Sequence, residues 1–159
     1  MKDKTMKLNK SITHYLPIII WMIIIFLFSN QIADDSNAMS SGITAIFYNF
    51  LQKFKIDDIL SYDMMNHLIR KLAHFTIYFI LGVLVIRPFN KPDSFSSFVK
   101  AVLICFLYAC SDEFHQYFIP GRAMMFTDVL IDTCGSMLGI ILYQIYNRIY
   151  VSKHIWSPK

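Results

Sequence analysis

Four apolar stretches, each about as long as the hydrocarbon layer of a bilayer is thick, dominate this chain of 159 residues. A helix needs ~20 mostly apolar residues to cross that layer. The stretches run from about 12 to 28, 67 to 86, 98 to 118 and 126 to 146. Inside lipid every backbone N–H and C=O must be satisfied within its own segment, which selects helices for spans of this kind. The expected fold is therefore all-α: a single domain over 1–159, built as an integral membrane bundle of four transmembrane helices. Composition points the same way. Charged residues make up 16% of the chain, against the ~25% usual in soluble domains, and the mean hydropathy is +0.45. The first stretch follows four lysines as a signal peptide would, but FSNQIADDSN supplies no small-x-small cleavage site, so it reads as a retained helix.

The basic residues fix an expected orientation. Lys2, Lys4, Lys7 and Lys10 precede span 1; Arg87, Lys91 and Lys100 surround the connection between spans 2 and 3; Arg148, Lys153 and Lys159 follow span 4. That end holds ten of the fifteen basic residues with only Asp3 and Asp93 as acids. The positive-inside rule places both termini and the 87–97 loop in the cytoplasm. The +4 net charge is accounted for by loops beside anionic lipid, and no nucleic-acid partner is implied.

Against this apolar background stand ten ionisable or strongly polar residues: Arg70, Lys71, His74, Asp112, Glu113, His115, Gln116, Arg122, Asp128 and Asp132. A charge near the bilayer centre costs at least ~2.5–3.5 kcal/mol, so such residues normally face one another and mark a site. With the orientation above, all ten fall in the outer half of the membrane. Arg70 with His74, Asp112 with Gln116, and Asp128 with Asp132 are i,i+4 pairs, so each pair shares a helix face. Arg70 and Lys71 are placed near the outward N-terminus of span 2, where the helix dipole favours anions. Lys71 is rotated about 100° from Arg70, and is expected to act as a counter-ion rather than as a ligand contact.

The remaining signals are weaker. Ile43, Ile46, Phe47, Phe50, Leu51 and Phe54 recur at helical spacing between spans 1 and 2. They fit an amphipathic helix in the outer interface or a lid on the bundle, and either would roof the polar cluster. Gly135 and Gly139 carry the small-xxx-small interval of close helix contacts, or are ordinary membrane-helix glycines. Cys105, Cys110 and Cys134 lie within spans and read as small packing residues, with no disulfide or zinc pattern. Tyr15, Trp21, Tyr143, Tyr146 and Trp156 read as belt or packing aromatics.

Four blocks, FSNQ (28–31), RKLAHFTIYFILG (70–82), YACSDEFHQYFIPGR (108–122) and DVLIDTCGSMLG (128–139), together resemble the VanZ-like family of small bacterial membrane proteins. The resemblance runs from span 1 to the end of span 4. It implies a cell-envelope role in the bacterial cytoplasmic membrane, with low-level glycopeptide (teicoplanin) resistance in some members. It supplies no reaction and no catalytic assignment.

Three readings of the cluster stay open. In the first, Arg70, Lys71 and Arg122 neutralise Asp112, Glu113, Asp128 and Asp132 and fix one packing arrangement, as in a structural subunit of an envelope complex. In the second, the cluster binds an anionic lipid-linked or cell-wall precursor ligand, with Arg70, Lys71 and Arg122 on the anion and carboxylates on amines or hydroxyls. In the third, Asp112, Glu113, Asp128 and Asp132 with His74 or His115 form a divalent-metal or acid/base set acting on a lipid-carrier phosphate. The expected partners are membrane lipids, with a lipid-linked cell-wall precursor or a glycopeptide as ligand and a second copy of the chain as an open question.

Overall fold

The structure, a computed structural model, describes the backbone of residues 2–53 and 61–155 and the side chains of 12–32, 38–53 and 61–150. Phe54, Lys55, Trp156 and Lys159, and the side chains of Lys2, Lys4, Lys7, Lys10 and Lys153, lie outside the described residues. The described residues form five helices and no strand: α1 (Lys2–Ser29), α2 (Ala33–Lys53), α3 (Tyr62–Ile86), α4 (Phe95–Gln116) and α5 (Phe126–Ile155). Four of them, α1 and α3 to α5, contain segments long and apolar enough to cross a membrane. The chain is a multi-pass, all-helical membrane protein.

Local chemistry sets the ends. Ser61 caps α3 by accepting a hydrogen bond from the Met64 amide, and Ser94 caps α4 by accepting one from the Ser97 amide. Each satisfies one of the amides a helix start leaves without an internal partner. Beyond α4, Gly121 turns the chain toward α5 with a φ of 76°, a left-handed conformation that glycine takes without strain.

Lipid removes most of the hydrophobic drive between helices, so close backbone approach does the packing. The tightest contact is α3 against α5. A Cβ on Gly135 would overlap the Phe75 carbonyl oxygen, one on Gly139 the Phe79 carbonyl oxygen, and one on Gly82 the Ser136 backbone. The Gly135 and Gly139 interval is thus a true helix–helix contact, and Gly82 answers it from the partner helix. On α4 the buried stripe runs Ser97, Ala101, Cys105, Ala109 and then Asp112, Glu113 and Gln116. Small residues at i,i+4 bring α4 in, and the same face becomes polar at its end.

Helix α1 is peripheral and buries only Ile25 and Ser29 of its described side chains. Long-range bonds tie it to the bundle: the Trp21 indole donates to the Ile77 carbonyl at 2.8 Å, and the Tyr108 hydroxyl donates to the Met22 carbonyl at 2.6 Å. At the other end of the bundle the Asn147 amide donates to the Asp93 carboxylate at 3.0 Å, and the Gln144 amide donates to the Pro92 carbonyl. These tie the α3–α4 loop to α5.

Two expectations change. Helix α3 begins at Tyr62, five residues before the expected start of its span. Arg70 and Lys71 therefore sit in its third turn, where the dipole no longer acts, since that effect fades within the first turn. Second, α2 turns its polar side inward. Ser40 and Thr44 are buried, the Thr44 hydroxyl bonds Asn66 Oδ1 at 3.1 Å, and the Tyr62 hydroxyl donates to the Ser41 carbonyl at 2.9 Å. Ile46, Phe47 and Phe50 point outward. The polar Ser/Thr side packs on α3 because Asn66 and Tyr62 offer it hydrogen bonds. The apolar stripe is left as the outer surface.

Candidate functional site

The C-terminal ends of α1 and α4, the N-terminal half of α3, the first turns of α5 and the 38–44 part of α2 come together at one end of the bundle. Asp112, Glu113, Gln116 and Asp132 are buried there, and Glu113 and Asp132 are fully so. Lys71 of α3 pairs with Asp128 of α5. One face of α3 presents Arg70, His74 and Tyr78 in succession at i,i+4 spacing, and α4 and α5 bring their carboxylates toward it.

Beside these groups lies a cavity of about 250 Å³, lined by Ile25, Phe28, Ser29, Gln31, Met39, Ser40, Ile43, Ile69, Arg70, Ala73, His74, Ile77, Asp112 and Arg122. The wall is largely hydrocarbon. Its ionisable groups are two arginines, a histidine and a carboxylate, contributed by α3, α4 and the α4–α5 loop, while Ser29, Gln31 and Ser40 add neutral polar groups from the side that α1 and α2 close.

Arg122 follows the Gly121 turn and donates to Gln116 Oε1 at 3.1 Å, while Gln116 Nε2 donates to Asp112 Oδ2 at 3.4 Å. Burial, and then the positive charge of Arg70 close by, lower the pKa of the Arg122 guanidinium from its ordinary value. It stays a cation at any physiological pH. Arg70 contacts His67 Nδ1 at 3.2 Å, so His67, which lies off the expected polar faces, reaches the cluster's edge.

Beneath the arginines the arrangement is rich in acceptors. His74 Nδ1 lies 3.5 Å from Asp132 Oδ1. Glu113 accepts the Met125 amide on Oε2 at 2.9 Å. Among the described residues, His74 Nδ1, both oxygens of Asp132, Glu113 Oε1 and Asp112 Oδ1 are buried without a hydrogen-bond partner. One donor atom from each of His74, Glu113 and Asp132 lies within 4.8 Å of the other two, so these three could hold a metal ion. Asp112 is surrounded by Ser29, Gln116 and Tyr78.

Nine of the ten expected residues meet at this end. His115 stands apart: its ring lies 4.7 Å from that of Phe26 and its Nε2 is 3.3 Å from Asn30 Oδ1. It serves the α1–α4 contact. Ser29, Tyr78 and Ser136 are buried at or next to the cluster and were not in the expected set. Tyr78 and Ser136 continue the i,i+4 rows of His74 and Asp132, a signal the sequence carries but the aromatic and small-residue content of the spans conceals.

A sequence model of the VanZ/LLP1 family matches residues 14–147, which takes in most of all four spans and every residue of the cluster. No curated protein and no solved structure matches the chain.

Proposed function

The chain belongs to the VanZ/LLP1 family, and we propose that it binds an anionic amphiphile of the bacterial envelope, a lipid-linked or cell-wall precursor, in the cavity at the polar end of the bundle. The observation that carries this reading is the joint presence of Arg70 and Arg122 in a wall that also presents the hydrocarbon of Ile25, Phe28, Ile43, Ile69 and Ile77. Two guanidiniums that line one largely apolar cavity can converge on a single anionic group of a ligand. Guanidiniums grip phosphate or carboxylate bidentately, and the hydrocarbon wall suits the ligand's lipid portion. Asp112, at the same wall, offers an acceptor for hydroxyl or amine groups of the headgroup.

The location follows from charge. Basic residues concentrate at the end opposite the cluster, so we place both termini in the cytoplasm and the cavity in the outer leaflet of the cytoplasmic membrane. Low-level teicoplanin resistance is the phenotype this placement accommodates, because a protein that handles precursors in that leaflet acts where a glycopeptide acts. The test is labelling of intact cells with an impermeant thiol reagent, in a background where Cys105, Cys110 and Cys134 are replaced. A cysteine at Asn49 should react and one at Asn90 should not. The reverse pattern would put the cavity on the cytoplasmic side and remove the envelope ligand.

A further inference from the structure

We propose that His74, Glu113 and Asp132 form a binding site for one divalent transition-metal cation at the floor of the bundle's polar end. The three side chains come from three different helices, α3, α4 and α5, yet place a donor atom each within 4.8 Å of the others. A single ion with ligand bonds of ~2.0–2.2 Å closes such a triangle by small side-chain rotations.

Burial supplies a second, independent observation. Glu113 and Asp132 are completely buried, and four oxygen and nitrogen atoms of the three residues, Asp132 Oδ1 and Oδ2, Glu113 Oε1 and His74 Nδ1, are buried with no hydrogen-bond partner among the described residues. Buried polar atoms are nearly always satisfied. Here the closest approach is His74 Nδ1 to Asp132 Oδ1 at 3.5 Å, and a cation bound by the three residues satisfies these atoms together.

The surrounding charges leave room for a cation. Lys71 is engaged by Asp128, and Arg122 donates to the Gln116 amide rather than to a carboxylate. Glu113 is held in place by the Met125 amide on its other oxygen, the kind of outer contact that orients a ligand carboxylate. One imidazole and two carboxylates favour first-row transition ions over Mg²⁺ or Ca²⁺, which prefer all-oxygen sites. His74 also lines the cavity, so an ion on it is reached from there. The cation site does not depend on the anionic-ligand reading, because its ligands come entirely from the chain.

The full-length protein, purified in detergent without chelator, should retain about one Zn²⁺ or Mn²⁺ per chain by inductively coupled plasma mass spectrometry. After stripping with EDTA, adding Mn²⁺ or Zn²⁺ should raise the unfolding temperature. Asp132→Asn and Glu113→Gln should each weaken that response by more than about tenfold, while Asp93→Asn and Cys134→Ser should leave it unchanged. Retention of no transition metal together with no response to either ion would overturn the proposal, as would a full response in Asp132→Asn. If Asp132→Asn fails to fold, Asp132→Cys decides: a thiolate should shift the preference from Mn²⁺ toward Cd²⁺, and an unchanged preference would overturn the site. All of these readouts are of metal, so they stand or fall separately from any lipid ligand.

Discussion

Lys71→Ala should sharply reduce the amount of folded protein, and adding Asp128→Asn should restore it. Lys71 and Asp128 join α3 to α5 with side chains only 28% and 18% exposed. Removing the lysine strands a carboxylate in a medium that solvates it poorly. Stranding one member of a buried pair costs ~3–5 kcal/mol, and the residual exposure of this pair argues for the lower end. At about 1.4 kcal/mol per tenfold change, that is at least a hundredfold shift toward unfolded chain. Asp128→Asn keeps the shape and removes the stranded charge, so the double variant should recover most of the loss. Fluorescence-detected size exclusion of the detergent extract reads this directly. A single variant that accumulates like the parent would mean that water already solvates the pair. The prediction separates Lys71 from Arg70: the first is a tie between helices, the second lines the cavity.

Gly135→Val or Gly139→Val should be worse still, because no second substitution relieves them. Each new side chain would press into a backbone carbonyl of α3, at Phe75 or Phe79, and backbone cannot rotate away as a side chain does. Overpacking a well-packed contact costs ~1–3 kcal/mol even where side chains can adjust. Here the two helices must separate. His74 on α3 and Asp132 on α5 lie one turn or less from the Phe75–Gly135 contact, so separation also pulls apart the groups that meet across it. The expected result is loss of monodisperse protein for both variants. Gly42→Ala is the control, since a Cβ there meets nothing within 4 Å, and alanine in place of a mid-helix glycine should be neutral or gain up to about 1 kcal/mol. Normal yield from Gly135→Val would show that α3 and α5 are not held by this contact.

The four spans were legible because a bilayer imposes its thickness on sequence, and polar residues in apolar helices stand out against that background. Their convergence was legible as well, since i,i+4 spacing puts Arg70 and His74, or Asp128 and Asp132, on one face whatever the neighbouring helices do. Other features needed the folded chain. The start of α3 at Tyr62 is set by the Ser61 cap, and Asp63, Asn66 and His67 blur the edge of the apolar run when it is read by eye. The inward side of α2 is set by hydrogen bonds from Thr44 and Tyr62 that cross between helices, and the pattern of Ile46, Phe47 and Phe50 gives no hint of which side packs. Tyr78 was concealed because a tyrosine in a span is usually a packing or interface residue. His115 looked like a member of the cluster because its neighbours Asp112, Glu113 and Gln116 are, but a helix turns about 100° per residue. Position 115 therefore faces α1.

The reading of the cavity as a site for an anionic amphiphile is tested most directly by native mass spectrometry of the protein released from its own membrane. The parent chain should carry a bound anionic lipid or lipid-linked phosphate that survives gentle activation. The double variant Arg70→Gln, Arg122→Gln should accumulate normally and lose that adduct while keeping its neutral-lipid background. A parent chain that carries only neutral lipid, or a double variant that retains the same anionic adduct, would contradict the account.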